Sequence, residues 1–529
     1  LGAVIRFIRV SLLSLAISVF AISAAQAGTV VADSGFRPNP NGFSFANYGK
    51  GHSDLDEAEM QRLFGSSVCL TGKGARCVLT AAARAWMENE NESMQGGHCY
   101  GFSTLANIID KGQLPQFGYA SIDAFGGGPF AFDLDIEDNP RLQGAIARAF
   151  STQTLPRVVE AGVYGAPAKI LDTLIEKLDP ATKVSYQMAI FQPGYERGHA
   201  ITPYAVEDMG GGIYHVHVYD NNWPDDDTRR LIINRNTNHW SYYASQNPDI
   251  PAALYEGDAE TNTLFLRPTG ASLGIQACPF CSGRQGGRSK YTQVTISGGS
   301  IQTAHLLITD GKGRKTGFLR GRFVNRIPGA RVLHRTSSFR DTLEPIYLIP
   351  RKTRFKLRIS GHGLTSPVRQ TLTMVGPTFD ATVDEMLIKP GQVAHATLVP
   401  RRQRLTFGAT TLDRYPQILF GAQSRKASYR IGFVVGQNLK GTKLAFTKNP
   451  RYRLLRISAV KRNPRAFGVF VKRFVANEET DFSRAYMLRG KEQAYLAYGP
   501  LARPNGLAKI VIANPKTDKI RVLKVTKNK

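Results

Sequence analysis

The stretch Gln95-Gly96-Gly97-His98-Cys99-Tyr100-Gly101-Phe102-Ser103 decides the reading of this chain. A glycine turn runs into a lone cysteine, and apolar residues then recur at Phe102, Leu105, Ala106 and Ile109, the spacing of one helix face. A helix is therefore expected over 99–109, with the thiol in its first turn. Unpaired backbone N–H groups and the helix dipole stabilise a thiolate at that position, and the same N–H groups can donate to an oxyanion. Taken alone, the stretch also fits a capped helix holding a buried thiol.

Working outward, Gly198-His199-Ala200-Ile201 begins a run of period-two alternation and offers an imidazole. Asp208-Met209-Gly210-Gly211-Gly212 reads as a turn, after which the chain returns through 213–219. A hairpin centred near Gly210 sets His199 opposite Asn221, with Asp220 beside it. A carboxylate or amide there would accept the second imidazole N–H, fix the tautomer, and turn the other nitrogen toward Cys99.

Cys-Tyr-Gly-Phe-Ser at a helix start, Gly-His-Ala about a hundred residues on, and Val-Tyr-Asp-Asn closing the next strand together resemble the papain-like cysteine peptidase superfamily. Its bacterial exported branch and the bacteriocin-processing peptidases are the most similar. The resemblance covers roughly residues 60 to 270. It implies Cys99 as nucleophile, His199 as general base and acid, and Asp220, or alternatively Asn221, as the orienting residue. It also implies an oxyanion glutamine upstream of the nucleophile. Gln95 is the nearest candidate, standing four residues before Cys99 rather than the usual six, with Gln187 and Gln192 as substitutes. Peptide or amide hydrolysis is the activity implied. The same triad serves amidases and transglutaminase-like acyltransferases, and a contrasting reading is an inactive surface-binding protein.

The 529 residues, 42% hydrophobic and 21% charged, exclude a fibrous or wholly disordered chain. Residues 1–27 read as an export signal, with Arg6 and Arg9 before an apolar run and Ala25-Gln26-Ala27 for cleavage. Residues 28–55 read as an extended lead-in or pro-segment. Helical patterns over 55–64, 79–87, 99–109 and 166–178 precede strands over 184–192, 199–206, 213–219, 230–234, 239–243 and 262–266. The expected fold class is therefore α+β over 56–281, helices packed on an antiparallel sheet. A linker follows over 282–291. Alternating strands then suggest basic β-sandwich domains over 292–400 and 401–529, with Phe355, Leu357 and Ile359 inward and Arg354, Lys356 and Arg358 outward. Ile520 and Val522 alternate in the same way with Lys519 and Arg521, and no strict repeat is apparent.

Charge divides sharply between the halves. Residues 1–281 hold 20 Lys and Arg against 29 Asp and Glu, net −9, whereas 282–529 hold 48 against 12, net +36. The second half is therefore expected to meet an anionic cell-surface polymer rather than nucleic acid, since the chain reads as secreted, periplasmic or cell-surface. No transmembrane segment is expected after signal cleavage, and the partner of the first half would be a peptide or protein substrate. Cys69 with Cys77 and Cys278 with Cys281 are expected as disulfides, leaving Cys99 unpaired. No cofactor or metal is expected. His215 and His217 share a strand face away from Asp220, Asp225 to Asp227 read as a solvated loop, and Trp223 and Trp240 as sheet packing. His98 is left outside the triad.

Overall fold

A computed structural model of the chain describes residues 28–528 apart from 245–253, 282–288, 300–301, 338–342, 378, 409–410, 437–440, 462–465, 477, 490, 504–505 and 518, and the side chains of 460 and 461. The expected export signal and most of the expected linker lie outside the described residues.

Helices come first and an antiparallel sheet follows, an α+β arrangement. Helix α1 (Glu57–Phe64) begins where Asp56 caps the N–H of Glu59 at 2.7 Å, and α2 (Ala81–Ser93) where Thr80 caps Ala83 at 3.2 Å. Helix α3 (Cys99–Asp110) carries the thiol at its first position. Helix α4 (Pro140–Ser151), which the periodicity reading passed over, is capped by Asn139, and α5 (Pro167–Lys177) follows.

Eight strands follow the order β8-β2-β3-β4-β5-β6-β7, with β1 added on β3. They are β1 (Thr29–Asp33), β2 (Tyr186–Phe191), β3 (Gly198–Asp208), β4 (Ile213–Tyr219), β5 (Arg230–Asn234), β6 (His239–Tyr243), β7 (Leu254–Gly257) and β8 (Leu264–Pro268). Successive residues of β4 face opposite sides, Val218 toward α5 and Tyr219 toward α3 and α4. Phe102, Leu105 and Ile108 are fully buried on the α3 side, each contributing roughly 1.5–3 kcal/mol. Gly101 is what lets α3 lie against α4, because a Cβ there would fall 2.3 Å from the Ile146 carbonyl oxygen. Residues 28–55 are built into this unit: β1 pairs with β3, and Asn47 N–H donates to Asn221 O at 2.7 Å.

Beyond the linker, two antiparallel sheets of ten and eleven strands enclose one core that runs from Val294 to Val525. Both sheets cross residue 400: 379–388 pairs with 417–423 in one, and 404–408 with 443–449 in the other. The expected boundary at Pro400 therefore does not divide the core, and 291–527 is one two-sheet unit. From 368 onward hairpins are dealt alternately to the two sheets, 368–388, 417–435 and 466–487 to one, 393–408, 443–461 and 493–513 to the other. Each series advances by 49 or 50 residues, and Pro350, Pro400, Pro450 and Pro500 mark the same end. This repeat was not read from the sequence. Phe355, Leu357 and Ile359 are buried and Lys356 and Arg358 exposed, as alternation requires. Ile520 and Val522 are instead 65% and 57% exposed, because their strand closes the outer edge of the eleven-stranded sheet.

The acidic and basic halves meet along α2. Glu88 pairs with Arg430 at 2.9 Å, Glu90 with Arg335 at 2.5 Å, and Asn89 accepts from Thr295 Oγ1 at 2.6 Å. Disulfides join Cys69 to Cys77 and Cys278 to Cys281, and Cys99 is free and buried. Among the described residues, no helix is long and apolar enough to cross a membrane.

Candidate active site

Three local features converge on one point. The start of α3 holds Cys99, the first turn of β3 holds His199, and the chain leaving β4 holds Asp220. Ser103 Oγ and Thr202 Oγ1 lie 2.7 Å apart, and Asn107 Nδ2 donates to Tyr186 O at 3.1 Å, so the helix is pinned to β2 and β3 by buried polar contacts.

His199 Nε2 lies 2.8 Å from Asp220 Oδ1, and the Cys99 thiol hydrogen-bonds the imidazole, to which only Nδ1 remains open. Cys99, His199 and Asp220 are all fully buried. Burial alone would push the imidazole toward its neutral form, but the Asp220 carboxylate and the thiol outweigh it and raise its pKa to about 10. Burial likewise opposes charge on Asp220, yet its carboxyl is held below the usual carboxylate range by His199, by the Tyr242 hydroxyl at 2.5 Å and by the Asn222 N–H at 2.9 Å. Tyr242, on β6, was not singled out in the sequence.

Asn221 does not take the orienting role offered to it. Its amide donates to Cys99 O at 3.1 Å and Ala200 O at 2.9 Å, clamping the start of α3 to β3. Asn222 lies beside His199 instead, its Nδ2 3.1 Å from Nε2. The physical reason is a turn that pairs Asp208 with Tyr214, two residues off a hairpin centred on Gly210, of which the bulge in β3 between Pro203 and Ala205 restores one.

Gln95 also stands elsewhere. Its Nε2 donates to Glu92 Oε2 at 2.5 Å, and it lines a cavity of about 590 Å³ between the end of α2 and the ten-stranded sheet. Gln187 is buried, donating to Thr269 Oγ1, and Gln192 donates to Leu254 O. The amide beside the Cys99 N–H belongs to Asn47, from the lead-in. Asn47 Oδ1 accepts from the His98 N–H at 2.6 Å, which fixes the amide so that Nδ2 points where Cys99 N points. Both donate to a single oxygen, the carbonyl of Ser337, Cys99 N at 3.2 Å and Asn47 Nδ2 at 3.3 Å.

His98 bridges Tyr48 O and Asp54 Oδ1 at 2.8 and 2.9 Å and holds the lead-in against α3. His215 and His217 both face Glu207, Asp226 is tied to Thr228 and Arg229, Trp223 donates to Ala244 O, and Trp240 is buried in the sheet. Compared with protein-family models, with curated proteins and with solved structures, the chain matches none.

Proposed function

We propose that this chain is an exported thiol-dependent hydrolase of the papain-like kind, cleaving peptide or amide bonds. One observation carries the reading: a cysteine, an imidazole and a carboxylate in series stand beside two N–H donors that share one carbonyl oxygen. In the reaction, His199 takes the thiol proton and Cys99 Sγ attacks the carbonyl carbon. The carbonyl π electrons move to oxygen, where Cys99 N–H and Asn47 Nδ2 hold the negative charge. Collapse expels the amine, which takes the proton from His199, and leaves a thioester. Water, deprotonated by His199, then releases the acid and restores the thiol. Asp220 holds the tautomer throughout and favours imidazolium.

The test needs no access to the cleft. Ultraviolet thiolate absorbance, read as the difference between the chain and its Cys99→Ser variant, is expected to persist well below pH 8.5, the ordinary thiol pKa being about 8.5. His199→Ala should abolish it. Absorbance that rises only near the ordinary thiol pKa, unchanged by that substitution, overturns the reading.

A second role, holding an anionic cell-surface polymer, is supported by one end of the eleven-stranded sheet, where a crossover from the other sheet and three hairpin turns lie side by side. Arg351, Lys352 and Arg354, then Arg401, Arg402 and Arg404, then Arg451 and Arg453, then Arg503 follow one another along that end. Adjacent hairpins stand about 10 Å apart, two strand spacings. Among the described residues none of these cations pairs with a carboxylate. Two disulfides and the apolar N-terminal run fit export.

A further inference from the structure

The oxygen shared by Cys99 and Asn47 belongs to the other half of the chain, and the residues leading to it are held like a ligand. Thr336 N–H donates to Gln153 Oε1 at 2.8 Å, and Gln153 Nε2 donates back to Thr336 O at 3.2 Å, a side-chain amide reading a peptide unit from both ends. Ser337 N–H donates to Gly198 O, the residue before His199, at 3.3 Å. Gly198 leaves room for this approach, since a Cβ there would lie 2.8 Å from Arg335 O as well as 2.4 Å from Phe191 Cε1 on β2. The Arg335 side chain is buried, its guanidinium on Glu90 at 2.5 Å and on Ser93 Oγ. His334 stacks on Tyr195 with ring centroids 3.9 Å apart.

Ordinary packing between halves explains burial of these residues but not their orientation. A carbonyl oxygen set on the N–H of a nucleophile is where the attacked group of a substrate sits. Donors aimed at an oxyanion close to about 2.7–3.1 Å, so 3.2 and 3.3 Å suit an uncharged carbonyl waiting in that place. A catalytic thiol must also be reachable, and Cys99 is fully covered.

We infer that Arg335–Ser337 is an intramolecular pseudosubstrate, and that the cleft it fills takes extended peptides with arginine two residues before the attacked carbonyl, read by Glu90. The inference rests on the hydrolase reading and names its substrate class. Main-chain recognition comes from Gln153, Gly198, Asn47 and Cys99, and charge recognition from Glu90. With the segment in place the thiol is closed to other peptides.

The experiment uses the full chain and its Ser337→Pro variant, in which the N–H given to Gly198 is absent. Alkylation of Cys99 by iodoacetamide is expected to be at least about tenfold faster in the variant, because the rate follows the open fraction. The peptide acetyl-Leu-His-Arg-Thr-Ser-amide should restore protection. The same peptide with citrulline for arginine should need about tenfold or more higher concentration, the factor for one charge-assisted hydrogen bond. Arg335→Gln, which keeps the backbone, is the second opened chain should Ser337→Pro fail to fold. Equal alkylation of parent and opened chains, or equal protection by the two peptides, overturns the proposal. Faster alkylation with arginine-dependent protection, in a chain whose thiolate absorbance ignores His199→Ala, supports the pseudosubstrate and removes the hydrolase reading instead.

Discussion

Replacing Asp220 by Asn keeps the shape of the side chain and deletes its charge. In the parent the carboxylate accepts from His199 Nε2, Tyr242 and the Asn222 N–H, at 2.8, 2.5 and 2.9 Å, and is shut off from water. His199 stands at about 10 against an ordinary 6.5. At 1.36 kcal/mol for each tenfold, that rise is worth about 5 kcal/mol net of the burial penalty, a floor on what Asp220 and the thiol together supply. With an amide at 220, burial is no longer outweighed, so His199 should fall to its ordinary value or lower. Stability follows with a definite sign. Asp220 has a lowered pKa, so its contribution is present above its ordinary 3.8 and is lost as pH falls through the depressed value. His199 has a raised one, so its contribution is present below 6.5 and is lost as pH rises through about 10. The parent should therefore exceed Asp220→Asn by about 3–5 kcal/mol between pH 4 and 6.5, narrowing by pH 10. Urea unfolding at stepped pH, with thiolate absorbance read in parallel, measures both effects. A stability difference that is flat from pH 6 to 10, with thiolate retained at neutral pH, would refute the reasoning.

Two further outcomes are expected. In the Ser337→Pro chain acting on a fluorogenic arginine-containing peptide, Asn47→Ala should lower kcat by about 10²–10³ with little change in KM, while Gln95→Ala should change kcat less than about threefold; equal losses would return the oxyanion role to Gln95. Alanine at Arg401, Arg402 and Arg404 together should weaken retention on an anionic polysaccharide column and flatten its salt dependence while leaving the melting temperature within a few degrees; unchanged retention would remove these hairpin ends from the interaction.

The placement of the candidate residues was legible where it depended on local pattern. A glycine turn before an apolar helix places Cys99, and alternation with a glycine-rich turn brings His199 and Asp220 together. The neighbouring asparagine was harder to place, because the turn is two residues longer than a hairpin centred on Gly210 and the bulge takes back only one of them, a net slip that sets Asn222 rather than Asn221 beside His199. Asn47 lies in coil 52 positions before Cys99, where neither spacing nor periodicity carries information. Only the density of Asn and Gly in 39–49 hinted at a segment rich in hydrogen-bonding groups. Ser337 meets Cys99 across 238 residues and two halves of opposite charge, a juxtaposition set by docking of α2 on the ten-stranded sheet. The repeat was readable, in prolines at 350, 400, 450 and 500, but degenerate strands hide it when only composition and alternation are weighed.

The hairpins dealt alternately to two sheets give the basic half a linear grammar. Each unit of about 50 residues touches chiefly the units before and after it, so stability accumulates by nearest neighbours, as in a solenoid. Inserting or deleting one whole unit lengthens or shortens a row of cations by one increment of about 10 Å without reaching the cleft at α3. The length of this half is counted in hairpins, independently of the geometry at the start of α3.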